Sequence, residues 1–85
     1  MAEILIGTVS DFFARPMVAG LELSSPLKIG DTIHIKGHTT DMTMTVDSMQ
    51  IDNAKVTEAN AGTAVGIKLP DRARKGDAVF IVTAT

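Results

Sequence analysis

The reading of this chain turns on one stretch, Leu27-Lys28-Ile29-Gly30-Asp31-Thr32-Ile33-His34-Ile35-Lys36-Gly37-His38-Thr39-Thr40-Asp41. It opens on a Gly-Asp turn signal, continues as a β-branched run in which Ile33 and Ile35 alternate with Thr32, His34 and Lys36, and closes on Gly37. That pattern is a strand between two turns. A shorter echo follows at Arg74-Lys75-Gly76-Asp77, again a basic residue and Gly-Asp ahead of an apolar run, Ala78-Val79-Phe80-Ile81-Val82. One turn device is expected to serve twice.

Upstream, Ile4 to Phe13 is β-branched and apolar around Gly7, and a glycine inside a strand marks a bulge or a close backbone approach. Arg15-Pro16 breaks the run, because proline cannot donate to a ladder and holds its predecessor extended. Met17 to Leu23 then alternates, with Ala19, Leu21 and Leu23 on one face, so the first two strands read as a hairpin. Downstream, Met42, Met44 and Val46 point inward against outward threonines, and the phase slips at Asp47-Ser48 before Met49 and Ile51. A one-residue change of face predicts a β-bulge there. In Asp52 to Gly62, Asp52-Asn53 could cap a short helix or Val56-Thr57 could form a brief strand; the strand, followed by a turn over Glu58 to Gly62, is the favoured reading. Val65, Ile67 and Leu69 give a further strand ended by Pro70-Asp71, and the last runs to Thr83 with Ala84 and Thr85 frayed. Six or seven short strands with no confident helix predict a closed antiparallel barrel.

Composition sets the limits on this barrel. Eighty-five residues make a single domain over 1–85, since so short a chain buries only ~60–65% of the surface its unfolded form exposes. With three Phe, no Trp and no Tyr, the core is aliphatic, and Met17, Met42, Met44 and Met49 fall on its apolar phase as filler. The absence of cysteine removes disulfides, thiolate metal sites and cysteine catalysis. A formal net charge of −2 gives no global attraction to phosphate, so any RNA contact has to be local. The N-terminus lacks the basic and apolar segments of a secretory signal, and no run approaches a membrane span; the expectation is a cytoplasmic protein with no membrane association.

Few constellations suggest chemistry. Gly62 to Lys68 is close in composition to a phosphate-binding loop, but three residues rather than four separate the glycines and Ile67 displaces the lysine. His34 and His38 lie roughly 13 Å apart on an extended strand, beyond shared metal coordination, and read as two exposed polar side chains. Asp41 could approach them if the loop folds back. Ser48 with Asp47 lacks the strained Gly-x-Ser-x-Gly elbow of a nucleophile. Lys28, Lys36, Lys68, Arg72, Arg74 and Lys75 sit at loop edges or outward positions, where they can serve as a solvated rim against edge pairing, as an anion or RNA contact, or as a protein interface. Lys36-Gly37-His38-Thr39-Thr40-Asp41 is richer in side-chain donors than a tight hairpin needs; it is either a functional loop or a turn whose polar groups bond locally.

Ile6-Gly7-Thr8-Val9, Leu27 to Asp31 leading into Ile33 to Gly37, Val46-Asp47-Ser48-Met49, Ala59 to Ile67 and Lys75-Gly76-Asp77 together resemble domain two of elongation factor Tu and related translational GTPases. A closer likeness, through Ile35 to Asp41 and Ser48-Met49-Gln50-Ile51, is to the C-terminal barrel of the collagenase-like peptidase family, some members of which are associated with RNA hydroxylation. The chain thus also resembles the small proteins usually called translation elongation factor-like. Thr63 departs from the pattern, which often has Asp after the glycine. The resemblance implies a six-stranded translation-factor barrel that is not itself catalytic, and the residues offer no nucleophile, metal set or cofactor loop, so no enzyme, cofactor or metal is expected. It implies an adaptor that docks on tRNA or ribosome-associated RNA, or a module that associates with a separate GTPase or RNA-modifying protein. The expected contact residues are Lys36, His38, Thr39, Thr40, Asp41, Arg72, Arg74 and Lys75.

Overall fold

The computed structural model describes residues 2–83. Its ten strands are β1 (Ala2–Phe13), β2 (Val18–Leu23), β3 (Leu27–Lys28), β4 (Thr32–Lys36), β5 (Asp41–Thr45), β6 (Met49–Ile51), β7 (Ala54–Val56), β8 (Glu58–Ala59), β9 (Ala64–Lys68) and β10 (Ala78–Thr83). Eight form one sheet in the order β5-β4-β10-β1-β2-β9-β6-β7, while β3 and β8 make a separate two-stranded ribbon. Every pairing is antiparallel.

The all-β antiparallel expectation holds, but not the six-stranded closed ring. Among the described residues the ladder is open, with β5 and β7 as its edges. Backbone hydrogen bonds outside the ladder link the chain next to the ribbon with the chain flanking those edges: Ile29 N–H donates to Thr57 O (2.9 Å), Gly30 N–H to Val46 O (2.9 Å) and Val46 N–H to Asp31 O (2.9 Å). The strand count rises because the phase slip at Asp47-Ser48 is a break and not a bulge. β5 pairs with β4, whereas β6 pairs with β9 and β7, so the two apolar runs belong to different neighbours. Asp52 and Asn53 both adopt positive φ (51° and 65°), which makes them the two-residue turn of the β6–β7 hairpin instead of a helix cap.

β1 is long enough to serve two partners. Its first residues pair with β10 and its later ones with β2, and register shifts between Leu5 and Gly7 and between Val9 and Asp11 turn Ile6 into the core. A Cβ at Gly7 would collide with the Glu22 carbonyl, so the first bulge needs glycine. Alternate residues of β2, β4 and β9 (Ala19, Leu21 and Leu23; Ile33 and Ile35; Val65 and Ile67) join Val9, Val46, Met49 and Val79 in one apolar core. Each fully buried Ile or Leu contributes about 1.5–3 kcal/mol relative to exposure.

The turn device occurs three times. In Lys28–Asp31, Arg74–Asp77 and Asn60–Thr63 the third residue is a glycine at φ 96°, 95° and 85°, and the fourth donates its N–H to the first carbonyl (3.2, 3.1 and 3.3 Å). Positive φ at that position is what a type II turn requires. Each turn then clips one buried residue by two backbone hydrogen bonds. Gly30 N–H and Asp31 O hold Val46, Gly76 N–H and Asp77 O hold Val9, and Gly62 N–H and Thr63 O hold Leu23, all at 2.8–3.0 Å. In the first two the Asp Oδ2 also accepts the N–H of the first turn residue (3.0 Å from Lys28, 2.9 Å from Arg74). Thr63 has no carboxylate to do the same. Asp31→Ala and Asp77→Ala are each expected to lower stability by about 1 kcal/mol, and Thr63→Asp to raise it by about 0.5–1 kcal/mol, in urea unfolding. No gain in Thr63→Asp would show that the third turn does not share the mechanism.

Candidate functional site

The β4–β5 hairpin keeps strict register from Thr32 opposite Thr45 to Lys36 opposite Asp41. Its loop closes when Gly37 N–H donates to Thr40 O (2.7 Å). Glycine is needed at 37 because a Cβ there would fall on the Asp77 carboxylate. This contact seats the loop directly against the Arg74–Asp77 turn, and Lys36 lies opposite Ala78 in the ladder. Two segments far apart in sequence thus form one end of the domain.

The exposed side chains at that end are Lys36, His38, Thr39, Arg74 and Lys75, with Arg72 beyond the buried Ala73. Thr40 is buried at 5% exposure and closes the loop; it offers no surface. The nearby carboxylates are already engaged. Asp77 is buried and accepts from Arg74 N–H, while Asp71 Oδ1 accepts from Arg72 N–H (2.8 Å). Asp41 Oδ1 accepts from His34 Nε2, while 75% of its side chain stays exposed opposite Lys36 in the ladder. Among the described residues the only ion pairs are those of His34, and the lysines and arginines of this end project without a carboxylate partner.

His34 is not the exposed side chain that the sequence suggests; only 14% of its side chain is accessible. Its Nδ1 lies 2.9 Å from Glu3 Oε1 and its Nε2 2.5 Å from Asp41 Oδ1, with the ring tilted against Phe80 at 6.3 Å. Both nitrogens can donate only in the imidazolium form. The Glu3 and Asp41 hydrogen bonds therefore raise its pKa above the ordinary 6.5, against a smaller desolvation effect. In its protonated form the ring ties β1 and β5 to β4. A folded-state pKa above the unfolded one gives stability that is fully present below pH ~6.5 and lost as pH rises through the raised value. Urea midpoints should fall between pH 6 and pH 9 in the native chain, and this fall should shrink in His34→Asn; an unchanged pH profile would remove the clasp from the stability balance.

A second concavity lies over β1, β2, β9 and β6, floored by Gly20 and Gly66 and walled in part by Phe13. The sequence does carry a signal for it, since both glycines interrupt otherwise regular alternation.

The fold defines an all-β antiparallel domain of a kind already known. The crystal structure of the C-terminal domain of a putative U32 peptidase from Geobacillus thermoleovorans superposes with a TM-score of 0.87 at 12% identity, over 93% of this chain and 92% of that one. Its selenomethionine variant gives 0.85 at 13%, over 89% and 96%. In sequence, the chain is 44% identical over 84 residues to an uncharacterized protease of Methanocaldococcus jannaschii. That match takes in 98% of this chain and 21% of the protease, so the chain spans about a fifth of the length of that curated relative. No protein-family model matches. These findings support the likeness to the collagenase-like peptidase C-terminal domain; the likeness to domain two of elongation factor Tu rests on the sequence motifs alone. No helix among the described residues is long and apolar enough to cross a membrane.

Proposed function

We propose that this domain is a non-enzymatic, cytoplasmic binding module, an adaptor that docks on tRNA or a ribonucleoprotein through its basic end. One observation carries the reading: Gly37 packs the Lys36–Asp41 loop on the Arg74–Asp77 turn, which gathers Lys36, Arg72, Arg74 and Lys75 at one end where, among the described residues, no carboxylate forms an ion pair with them. Cations without carboxylate partners are what phosphate oxygens require, and they act locally even in a chain of net charge −2. The resemblance to domain two of elongation factor Tu supports an RNA end. On this reading the eight-stranded sheet and the ribbon are a translation-factor barrel whose seam is made by turn hydrogen bonds in place of a ladder.

A second reading is a module that associates with a separate GTPase or RNA-modifying protein. It is favoured by the protease of Methanocaldococcus jannaschii, in which the matching residues make up only a fifth of a longer chain.

Fluorescence anisotropy with bulk tRNA separates the two. About three or four phosphate contacts should weaken binding roughly 10- to 100-fold between 50 and 200 mM salt. Lys36→Glu combined with Arg74→Glu should abolish it while the amide spectrum stays folded. Salt-independent binding, or no binding at 50 mM salt alongside a stable complex with a protein partner, would overturn the RNA reading in favour of the second.

A further inference from the structure

The basic end carries one exposed carboxylate that its cations leave alone. Asp41 stands directly opposite Lys36 in the β4–β5 ladder, yet among the described residues the two form no ion pair. Asp41 Oδ1 instead reaches back along the strand to His34 Nε2 at 2.5 Å. His34 lies two residues before Lys36 on the same outward face of β4, since Ile33 and Ile35 point into the core. On its other side Nδ1 lies 2.9 Å from Glu3 Oε1 of β1. The remaining side chains that face the ring are uncharged, Phe80 opposite it on β10 and Thr43 opposite it on β5, with Ala78 and Val82 on either side of Phe80. Glu3, Asp41 and Lys36 are therefore the charged groups around it.

Two carboxylates on one ring need two N–H donors, and imidazole has two only while it is protonated. When the proton leaves, one nitrogen keeps its N–H and the other turns a lone pair toward a carboxylate oxygen. One carboxylate must then let go. Glu3 faces Val82 in the ladder and has no cation across from it. Asp41 has Lys36. Opposite charges directly across an antiparallel pair attract, so the neutral ring keeps Glu3 and Asp41 turns to Lys36.

We propose that His34 sets the anion affinity of the basic end: as imidazolium it holds the Asp41 carboxylate away from Lys36, and on losing its proton to solvent it hands that carboxylate to Lys36. The handover withdraws one cation from phosphate and puts an anion beside it. His34 is thus a positioning residue that touches no ligand itself. The inference rests on the reading of this end as an anion site. Because the Glu3 and Asp41 hydrogen bonds raise the pKa of His34, the change falls above pH 6.5, where lysine and arginine side chains remain charged.

The test is anisotropy with bulk tRNA at 50 mM salt from pH 5.5 to pH 9, with the fold checked by the amide spectrum at each pH. Every chain compared carries His38→Gln, because an imidazole within the binding loop would add a pH response of its own. The parent should lose about three- to fivefold in affinity as pH rises. Asp41→Asn should keep most of its pH 5.5 affinity at pH 9, since no carboxylate is left to hand over. His34→Asn should bind at the parent's weaker level across the whole range. Glu3→Gln separates the handover from a direct effect of ring charge. Its amide can donate to Nδ1, so the neutral ring keeps its one N–H on Asp41 and the loss at high pH should disappear. A parent affinity that does not change with pH, or a full loss retained in Asp41→Asn or Glu3→Gln, would overturn the handover and leave the anion site standing. No tRNA binding at any pH would remove the anion site, and the handover with it.

Discussion

The glycine turns at 30, 62 and 76 do more than reverse the chain. Each places one N–H and one carbonyl so that they grip both backbone groups of a buried residue on another part of the chain, Val46, Leu23 or Val9. An unpaired backbone group in the interior costs about as much as a lost hydrogen bond, so each clip satisfies two groups that no ladder reaches. The clips thus stand where the strands stop pairing. They let an open eight-stranded sheet and a two-stranded ribbon enclose a single core.

The surfaces follow from where the clips lie. The turn that grips Val9 is the one that carries Arg74 and Lys75, and its Asp77 carboxylate is buried against Gly37. The acid that shapes the turn is therefore removed from the surface while the base remains on it. At His34, protonation does comparable work between strands, with one ring drawing a carboxylate from β1 and another from β5 to the outer face of β4. A chain with more acids than bases can in this way present one end whose lysines and arginines pair with no carboxylate.

Much of this was legible in the residue pattern. The Gly-Asp turns at Gly30-Asp31 and Gly76-Asp77, the bulge at Gly7, the β1–β2 hairpin and the inward phase of Ile33, Ile35, Val65 and Ile67 are all local features, encoded by a few adjacent side chains. The slip at Asp47-Ser48 was visible, but its meaning was not, because a change of face is the same signal whether a strand bulges or leaves for a new partner. The Asp52-Asn53 turn was ambiguous for a related reason: both residues cap helices and both tolerate left-handed backbone.

The sequence alone determined the class of structure: alternation at every second position dictates strands with one buried face, and Gly-Asp pairs dictate where they turn. Tertiary structure alone decided which strands meet, that the ladder stays open, that Thr40 is buried, that His34 lies between two carboxylates, and that Gly20 faces Gly66. Periodicity describes the environment of each residue but carries no address for its partner. Pairings between residues tens of positions apart are selected by the packing of the whole core.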